Sequence, residues 1–148
     1  MVLKMLQNLL IGLATMTACL VLQAILMVAA LRLYLRHQGM VTSGSTWSTL
    51  LILVSVMLLL VVGNLAQLFI WALVFQSLGE FSNLSEAVYH SAVNFATLGY
   101  GDLVMSEHHR LLGPLEAING VLMIGISTAA LITTFQDAIQ KTRKARIL

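Results

Sequence analysis

The sequence predicts an all-α membrane protein with three spanning helices, and two observations indicate this class. First, 59% of the 148 residues are hydrophobic and only 9% are charged, whereas a soluble domain carries about 25% charged residues. Second, runs almost free of charge lie at residues 5–31, 38–79 and 111–135. Each is long enough to cross a membrane, because about 20 apolar helical residues span a hydrocarbon core of about 30 Å.

These runs divide the chain into an additional N-terminal spanning helix within residues 1–36 and a second region at residues 37–148. The parts predicted within the second region are, in chain order, an outer spanning helix at 48–77, a short helix at 83–96, an irregular segment at 97–102, an inner spanning helix at 112–138 and a short basic tail. The single cysteine, Cys19, lies in the first apolar run, so no disulfide is expected within the chain.

The distribution of basic residues predicts the orientation of the chain. Arg32 and Arg36 lie between the first two spanning helices, and the tail after the third is also basic. The positive-inside rule therefore places this loop and the C-terminus in the cytoplasm, and the N-terminus and residues 80–110 outside. Trp47 and Trp71, near the two ends of the outer helix, are predicted to lie in the interfacial aromatic belts.

The sequence between the outer and inner helices predicts a re-entrant structure. Asn83 and Glu86 are spaced as a capping box, which marks the start of a helix, and residues 84–96 continue it. A helix of this length is too short to cross a membrane and only marginally stable alone in water. We therefore expect a short helix and a loop that enter the membrane, return to the same side and are held within a larger assembly.

The irregular segment that follows has a pattern suited to binding a cation. Backbone at membrane depth that lacks regular hydrogen bonds is tolerated only inside protein or beside a watery path. Gly99 and Gly101 alternate with Leu98 and Tyr100, and glycine adopts positive φ at little cost, so successive peptide groups can turn the same way. Their carbonyl oxygens, with the Thr97 hydroxyl, would then form a ladder of hard oxygen ligands for an alkali cation.

The motif Thr-Leu-Gly-Tyr-Gly-Asp at residues 97–102 follows a short amphipathic helix and is framed by two spanning helices. In this setting it resembles the pore module of potassium channels, in particular that of small prokaryotic channels with a two-helix pore. The resemblance covers about residues 47–140. Three features depart from the family's common pattern: Ala96 replaces a second threonine, Val93 stands where some members have an acid, and no proline closely follows Asp102. These departures bear on how stiffly the segment is held.

The resemblance implies a selectivity filter and a homotetramer of four chains around one axis. K⁺ would be the permeant ion, and no cofactor is expected. The implied K⁺ ligands are the backbone carbonyl oxygens of Thr97, Leu98, Gly99 and Tyr100, together with the Thr97 hydroxyl. Gly101 would complete the turn, and Asp102 would lie at the outer mouth and form a hydrogen bond behind the filter.

Four further residues are assigned roles in gating or support. Gly125 lies where the family often keeps a hinge glycine, and Gly125 and Gly120 are both predicted candidates for a gating hinge, with helix packing as the alternative. Asn94 on the short helix and Glu116 near the outer end of the inner helix are predicted to support the pore helix. For Glu116 the alternative is that its carboxylate, close to water, draws cations inward.

We therefore expect a passive potassium-selective channel in a cell membrane, and the resemblance to prokaryotic channels implies a bacterial inner membrane. The alternatives are a non-selective cation channel and a non-conducting accessory subunit of another channel. An enzyme is not expected, because no nucleophile with a base and no metal-ligand cluster lies at membrane depth. A nucleic-acid partner and a soluble ligand-binding domain are not expected either. The basic tail would rest on anionic lipid.

Overall fold

The part of the chain that the structure describes contains four α-helices and no strand. This computed structural model describes residues 2–37, residue 39 and residues 46–147. The helices are α1 (Val2–Arg36), α2 (Thr46–Ser77), α3 (Leu84–Phe95) and α4 (Leu112–Ile147). Within the described residues three helices are long and apolar enough to cross a membrane, over Leu3–Arg36, Trp47–Ser77 and Leu112–Lys144. The predicted all-helical membrane fold with three spanning helices is confirmed to this extent.

A left-handed glycine ends α2 and redirects the chain toward α3. Gly79 has φ +73°, and its N–H donates to the carbonyl of Gln76 at 2.9 Å, while the N–H of Glu80 donates to the carbonyl of Phe75 at 3.1 Å. These two bonds define a Schellman motif, in which glycine takes the left-handed position without the steric penalty that a Cβ brings. The outer helix therefore ends close to its predicted boundary.

α4 is longer than the sequence predicted. The inner helix was expected at 112–138 with a basic tail after it, but α4 continues through this tail to Ile147. The physical reason is local: no glycine or proline follows Gly125, and lysine and arginine are good helix formers that also interact favourably with the negative end of the helix dipole. Pro114, the only proline, lies in the first turn of α4, where it breaks no intrahelical bond.

Contacts divide the chain into two compact units, and the first comprises Met1–Leu22 and Asn64–Ile124. Its core is aromatic: the rings of Trp71 and Phe75 lie 5.7 Å apart, and those of Phe81 and His90 lie 4.8 Å apart. Trp71 is completely buried, so the prediction that it lies in an interfacial belt is wrong. Its position near the end of α2 does not determine which face of the helix it occupies, and that face points into the core.

The second unit comprises Gln23–Gly63 and Gly125–Leu148. Its core joins Tyr34 of α1, Val56 and Leu60 of α2, and Ala138 of α4. A Cβ on Gly63 would overlap the side chain of Leu26, so the absence of a side chain allows α1 to approach α2 closely. All three long helices contribute to this core.

Candidate functional site

α3 begins after Asn83 without the cap that the sequence predicted. Asn83 occupies the N-cap position in extended conformation (φ −115°, ψ 136°), but its side chain forms no hydrogen bond to a backbone N–H. The amide donates to Glu86 Oε1 at 3.4 Å instead. Because this attraction turns the Asn83 side chain toward the carboxylate, the reciprocal capping box does not form. The residues that form the buried face of α3 are Ala87, His90, Ser91, Val93 and Phe95.

The C-terminus of α3 has the same hydrogen-bond pattern as that of α2, but with threonine in place of glycine. The N–H of Thr97 donates to the carbonyl of Asn94 at 2.8 Å, and the N–H of Leu98 donates to that of Val93 at 2.8 Å. Thr97 therefore takes the left-handed position, with φ 58°. This conformation costs an L-residue about 1–2 kcal/mol and is unusual for a β-branched one. Backbone strain of this kind is found most often at functional sites.

Residues 97–101 form an irregular strand without β-pairing, and the sign of φ alternates along it. Gly99 and Gly101 have φ values of +59° and +73°, whereas neither Leu98 nor Tyr100 has a positive φ. Such alternation allows successive peptide groups to turn to the same side. A Cβ added at either glycine would meet no atom within 4 Å. Within one chain, the positive φ and not a lack of space is therefore the reason for glycine at these two positions.

This strand is exposed in the single chain. Ala96 to Asp102 all lie on the surface, and the residues Leu98 and Tyr100 are 55% and 66% exposed. The predicted filter residues are therefore contiguous at the C-terminal end of α3 and are not covered by the chain's own helices.

Asp102, the predicted outer-mouth residue, is held by α3. The hydroxyl of Tyr89 donates a hydrogen bond of 2.6 Å to Asp102 Oδ2. This bond lowers the pKa of the Asp102 carboxyl below its ordinary value, and it raises the pKa of the Tyr89 phenol. A protonated tyrosine and an ionised aspartate are thus the stable pair.

His90 joins the residue after Asp102 to the interior of α3. Its Nδ1 lies 3.0 Å from the carbonyl oxygen of Leu103, and its Nε2 lies 2.8 Å from Asn94 Nδ2. A carbonyl oxygen only accepts and an amide nitrogen only donates, so the neutral ring with its proton on Nδ1 satisfies both contacts. Burial favours the same neutral form, and it lowers the pKa of His90 below the usual value.

Glu116 of α4 lies against α3 with no exposed surface. Its Oε1 is hydrogen-bonded to Ser91 Oγ, which also lies 2.7 Å from the carbonyl oxygen of Leu68 in α2. The Asn94 side chain also interacts with the Glu116 carboxyl group. The structure thus brings together Asn94 and Glu116, the two residues predicted to support the pore helix. Complete burial contradicts the alternative that Glu116 lies close to water and draws cations inward.

The two glycines predicted as hinge candidates lie in different surroundings. A Cβ on Gly120 would overlap the carbonyl oxygen of Phe95 and lie 2.8 Å from its carbonyl carbon. Gly120 therefore allows α4 to contact the backbone at the end of α3. A Cβ on Gly125 would meet no atom within 4 Å, so no packing contact among the described residues explains this glycine. The hinge role itself stays a prediction for both.

The loop between α3 and α4 is anchored to the end of α2 by Glu80. Its carboxylate accepts hydrogen bonds from the backbone N–H of Ser106 (2.6 Å), the Ser106 hydroxyl (2.7 Å) and His109 Nδ1 (2.6 Å). Burial raises the pKa of Glu80, but these hydrogen bonds outweigh it and leave the pKa below the ordinary value. The negative charge at residue 80 therefore fixes the loop that follows the strand.

The sequence interpretation missed Tyr89 and Ser91 as supporting residues, and it assigned His90 only the role of a packed polar residue in the short helix. A usable signal was present in the helical spacing: His90 lies four residues and Ser91 three residues before Asn94, and residues at these spacings share a helix face. Three polar residues on one face of an otherwise apolar short helix indicate a hydrogen-bonded surface. Tyr89 lies on a different face of α3. Its role can be recognised only from the folded structure, which places Asp102 beside it.

The helices and this site define an all-helical membrane protein in which a short helix presents an exposed, glycine-containing strand. The family model described as "Ion channel" matches residues 64–137, which is half of the chain and includes the site. The chain belongs to this family of ion channels with a two-helix pore, which confirms the family resemblance identified in the sequence. No curated protein and no solved structure matches the chain significantly.

Proposed function

We propose that four copies of this chain form a potassium-selective channel that conducts K⁺ passively through residues 97–101. The observation that carries the proposal is the alternating sign of φ along this strand, positive at Thr97, Gly99 and Gly101. It supports a row of carbonyl oxygens on one edge, which is the arrangement that can replace the hydration shell of a monovalent cation.

The proposed ion ligands are the carbonyl oxygens of Thr97, Leu98, Gly99 and Tyr100, with the Thr97 hydroxyl at the inner end. Transfer of a unit charge from water into a medium of low dielectric constant costs on the order of 20 kcal/mol in the idealised case. Several rings of oxygen atoms offset most of this cost while leaving the ion free to move on. The strain at Thr97 supports a requirement for its hydroxyl, since glycine would satisfy the backbone better.

Exposure of the strand supports the proposed assembly of four chains. One strand cannot surround an ion, and closed rotational symmetry is the simplest way to bring several together. The side chains of Leu98 and Tyr100, exposed in one chain, would then pack against protein on the side away from the ion. A homotetramer gives four equivalent carbonyl groups at each level.

The proposed placement in the membrane is that of a re-entrant pore helix. α3 has 12 residues, too few to span a bilayer, and its negative C-terminal end would face the central cavity and favour a cation there. The N-terminus and residues 80–110 lie outside in this proposal, and the C-terminal end of α4 lies in the cytoplasm against anionic lipid. A bacterial inner membrane is the proposed location.

The test is a comparison of K⁺ and Na⁺ flux through the purified chain in liposomes. We expect K⁺ to permeate much faster than Na⁺ and the Gly99→Ala variant to lose flux, because alanine disfavours φ +59°. Gly79→Ala is the matched control: Gly79 also has a positive φ and open space around it, but it lies outside the strand. A general loss of stability would affect both variants, whereas a filter defect is confined to Gly99→Ala.

The remaining outcomes identify the alternatives. Equal K⁺ and Na⁺ permeation would indicate a non-selective cation channel. Absence of any flux from a folded, tetrameric wild-type protein would indicate a non-conducting accessory subunit. Full activity of Gly99→Ala would refute the assignment of residues 97–101 as the filter.

A further inference from the structure

Ser91 of α3 lies between two oxygen atoms on neighbouring helices. Its Oγ lies 2.7 Å from the carbonyl oxygen of Leu68 in α2 and is hydrogen-bonded to Glu116 Oε1 of α4. Two oxygen atoms this close repel each other unless a hydrogen lies between them, so each contact needs a proton. The Ser91 hydroxyl has one hydrogen and the Leu68 carbonyl has none. The Glu116 carboxyl group must therefore supply the second hydrogen.

The surroundings of Glu116 also favour the protonated carboxyl group. Glu116 has no exposed surface, and its Oε2 has no hydrogen-bond partner. Among the described residues, no lysine, arginine or histidine forms an ion pair with it. An ionised carboxylate would thus be buried without a counter-charge, which is strongly unfavourable. With the proton on Oε1, Oε2 is the carbonyl oxygen of a neutral acid, and its lack of a partner is much less unfavourable.

Few titratable groups lie near Glu116. α2 contains no titratable residue, and α4 contains none between Glu116 and Asp137. On α1, Cys19 interacts electrostatically with Glu116. On α3, the Asn94 side chain interacts with Glu116 and also contacts His90, whose ring is neutral in this arrangement. None of these groups supplies positive charge to the carboxyl group.

Loss of the proton would change how α3 is held. One hydrogen would then remain for the two contacts of Ser91, and the carboxylate is the stronger acceptor. The Ser91 hydroxyl would donate to Glu116, and its contact with the Leu68 carbonyl would become repulsive. Ionisation would therefore weaken the attachment of α3 to α2, and α3 is the helix that precedes residues 97–101.

We propose that Glu116 is a proton-binding site, which holds a proton near neutral pH and releases it in alkaline solution, and that this release lowers K⁺ flux by detaching α3 from α2. The effect on flux rests on the proposed channel function, whereas the bound proton does not. Glu116 is a positioning residue, because it acts through Ser91 and α3 and does not contact the ion.

Infrared spectroscopy of the purified protein tests for the bound proton. We expect the C=O stretching band of a protonated carboxyl group at pH 7, with a shift in D₂O, and we expect Glu116→Gln to lack this band. Glutamine keeps the shape of the side chain and can donate to Ser91. Ser91→Ala should shift the band without removing it, because the acid loses its acceptor. Glu107→Gln is the matched control and should retain the band, since Glu107 is exposed in the loop before α4.

The effect on flux is measured as the ratio of K⁺ flux at pH 10 to K⁺ flux at pH 7 in liposomes. We expect this ratio to be several-fold below one for the wild type and close to one for Glu116→Gln, whose amide cannot ionise. Cys19→Ala is the control, because a thiol also loses its proton in alkaline solution and Cys19 interacts with Glu116. This variant should show the same fall in flux as the wild type.

The outcomes distinguish the proton site from the channel function. Carboxylate bands of Glu116 at pH 7, seen in the difference between the wild type and Glu116→Gln, would overturn the proton site. An equal fall in flux for these two proteins, no fall in either, or loss of the fall in Cys19→Ala would overturn the effect on flux but not the infrared result. Absence of flux from the wild type at every pH would overturn the proposed channel function, and the infrared result would stand by itself.

Discussion

Tyr89 and Asp102 are joined by a hydrogen bond of 2.6 Å between the phenol oxygen and Oδ2, and this bond fixes the residue that follows the 97–101 strand to the middle of α3. The strand is attached at its other end through the main chain of Thr97 and Leu98. Because the strand is exposed, these two attachments and the contact of His90 with the Leu103 carbonyl hold it within the chain. Their loss should affect conduction more than the stability of the helices.

Removal of the Tyr89 hydroxyl tests the outer attachment. Tyr89→Phe keeps the ring and eliminates only the bond to Asp102, so we expect a folded protein with a several-fold lower sustained K⁺ flux and weaker discrimination against Na⁺. Flux assays in liposomes and thermal unfolding in detergent measure the two properties. Ser77→Ala is the matched control, because the Ser77 hydroxyl bonds to the Val74 carbonyl within α2. Wild-type flux and selectivity in Tyr89→Phe would contradict this role.

Two substitutions at Thr97 separate backbone strain from ion binding. Thr97→Gly relieves the left-handed conformation and should stabilise the protein by about 1 kcal/mol, yet the loss of the hydroxyl should lower K⁺ flux. Thr97→Ser keeps the hydroxyl and should retain flux. Thermal unfolding and flux assays on the same preparations test both expectations. A glycine variant less stable than wild type would show that φ 58° imposes no net strain.

Much of the fold follows from chain length and charge alone. The uncharged runs are long enough for three spanning helices, and the short interval between the second and third holds only a short helix. The end of α4 could not be predicted from hydropathy, because helix propensity and not membrane thickness sets it at Ile147. Burial of Trp71 likewise depends on which face of α2 meets its neighbours, and a nearly uniform apolar helix gives no such signal.

Those parts of the site that follow from residue type could be predicted from the sequence. Those that depend on how the helices pack could not. Gly99 and Gly101 indicate positive φ by their residue type, and the structure has it at both. The left-handed conformation of Thr97 could not be predicted, because a β-branched residue disfavours it. The contact between Ser91 and Glu116 requires knowledge of how α3 lies against α4, which no local pattern contains.

Alanine at the two hinge candidates should have opposite effects on stability. Gly120→Ala places a methyl group against the backbone of Phe95, and backbone cannot rearrange as a side chain can, so we expect a loss of about 1–3 kcal/mol. Gly125→Ala meets no atom and should stabilise α4 by about 1 kcal/mol through helix propensity. Unfolding midpoints in detergent measure the difference. Equal midpoints for the two variants would refute the close contact between Gly120 and Phe95.

Stability should depend on pH through His90. In the folded protein the neutral ring donates to Leu103 and accepts from Asn94. Burial lowers the pKa of His90 below its ordinary value of 6.5, although the hydrogen bond to the Leu103 carbonyl and the charges of Asp102 and Glu80 act in the opposite direction. The unfolded chain therefore binds a proton more readily than the folded one. The stabilisation by His90 is complete above pH 6.5 and is lost as the pH falls through the lowered folded-state pKa.

His90→Gln removes this titration, because glutamine carries no charge at any of these pH values. We expect the unfolding midpoint of the wild type to fall by several degrees between pH 7.5 and pH 5, and that of His90→Gln to fall less. His37→Gln serves as the control, since His37 Nδ1 lies 3.0 Å from the Leu33 carbonyl oxygen, one turn earlier in the chain and far in sequence from the strand. If His90→Gln and the wild type lose the same stability in acid, the pH dependence of unfolding arises at other titratable groups. In that case the strand is held whether or not His90 is neutral.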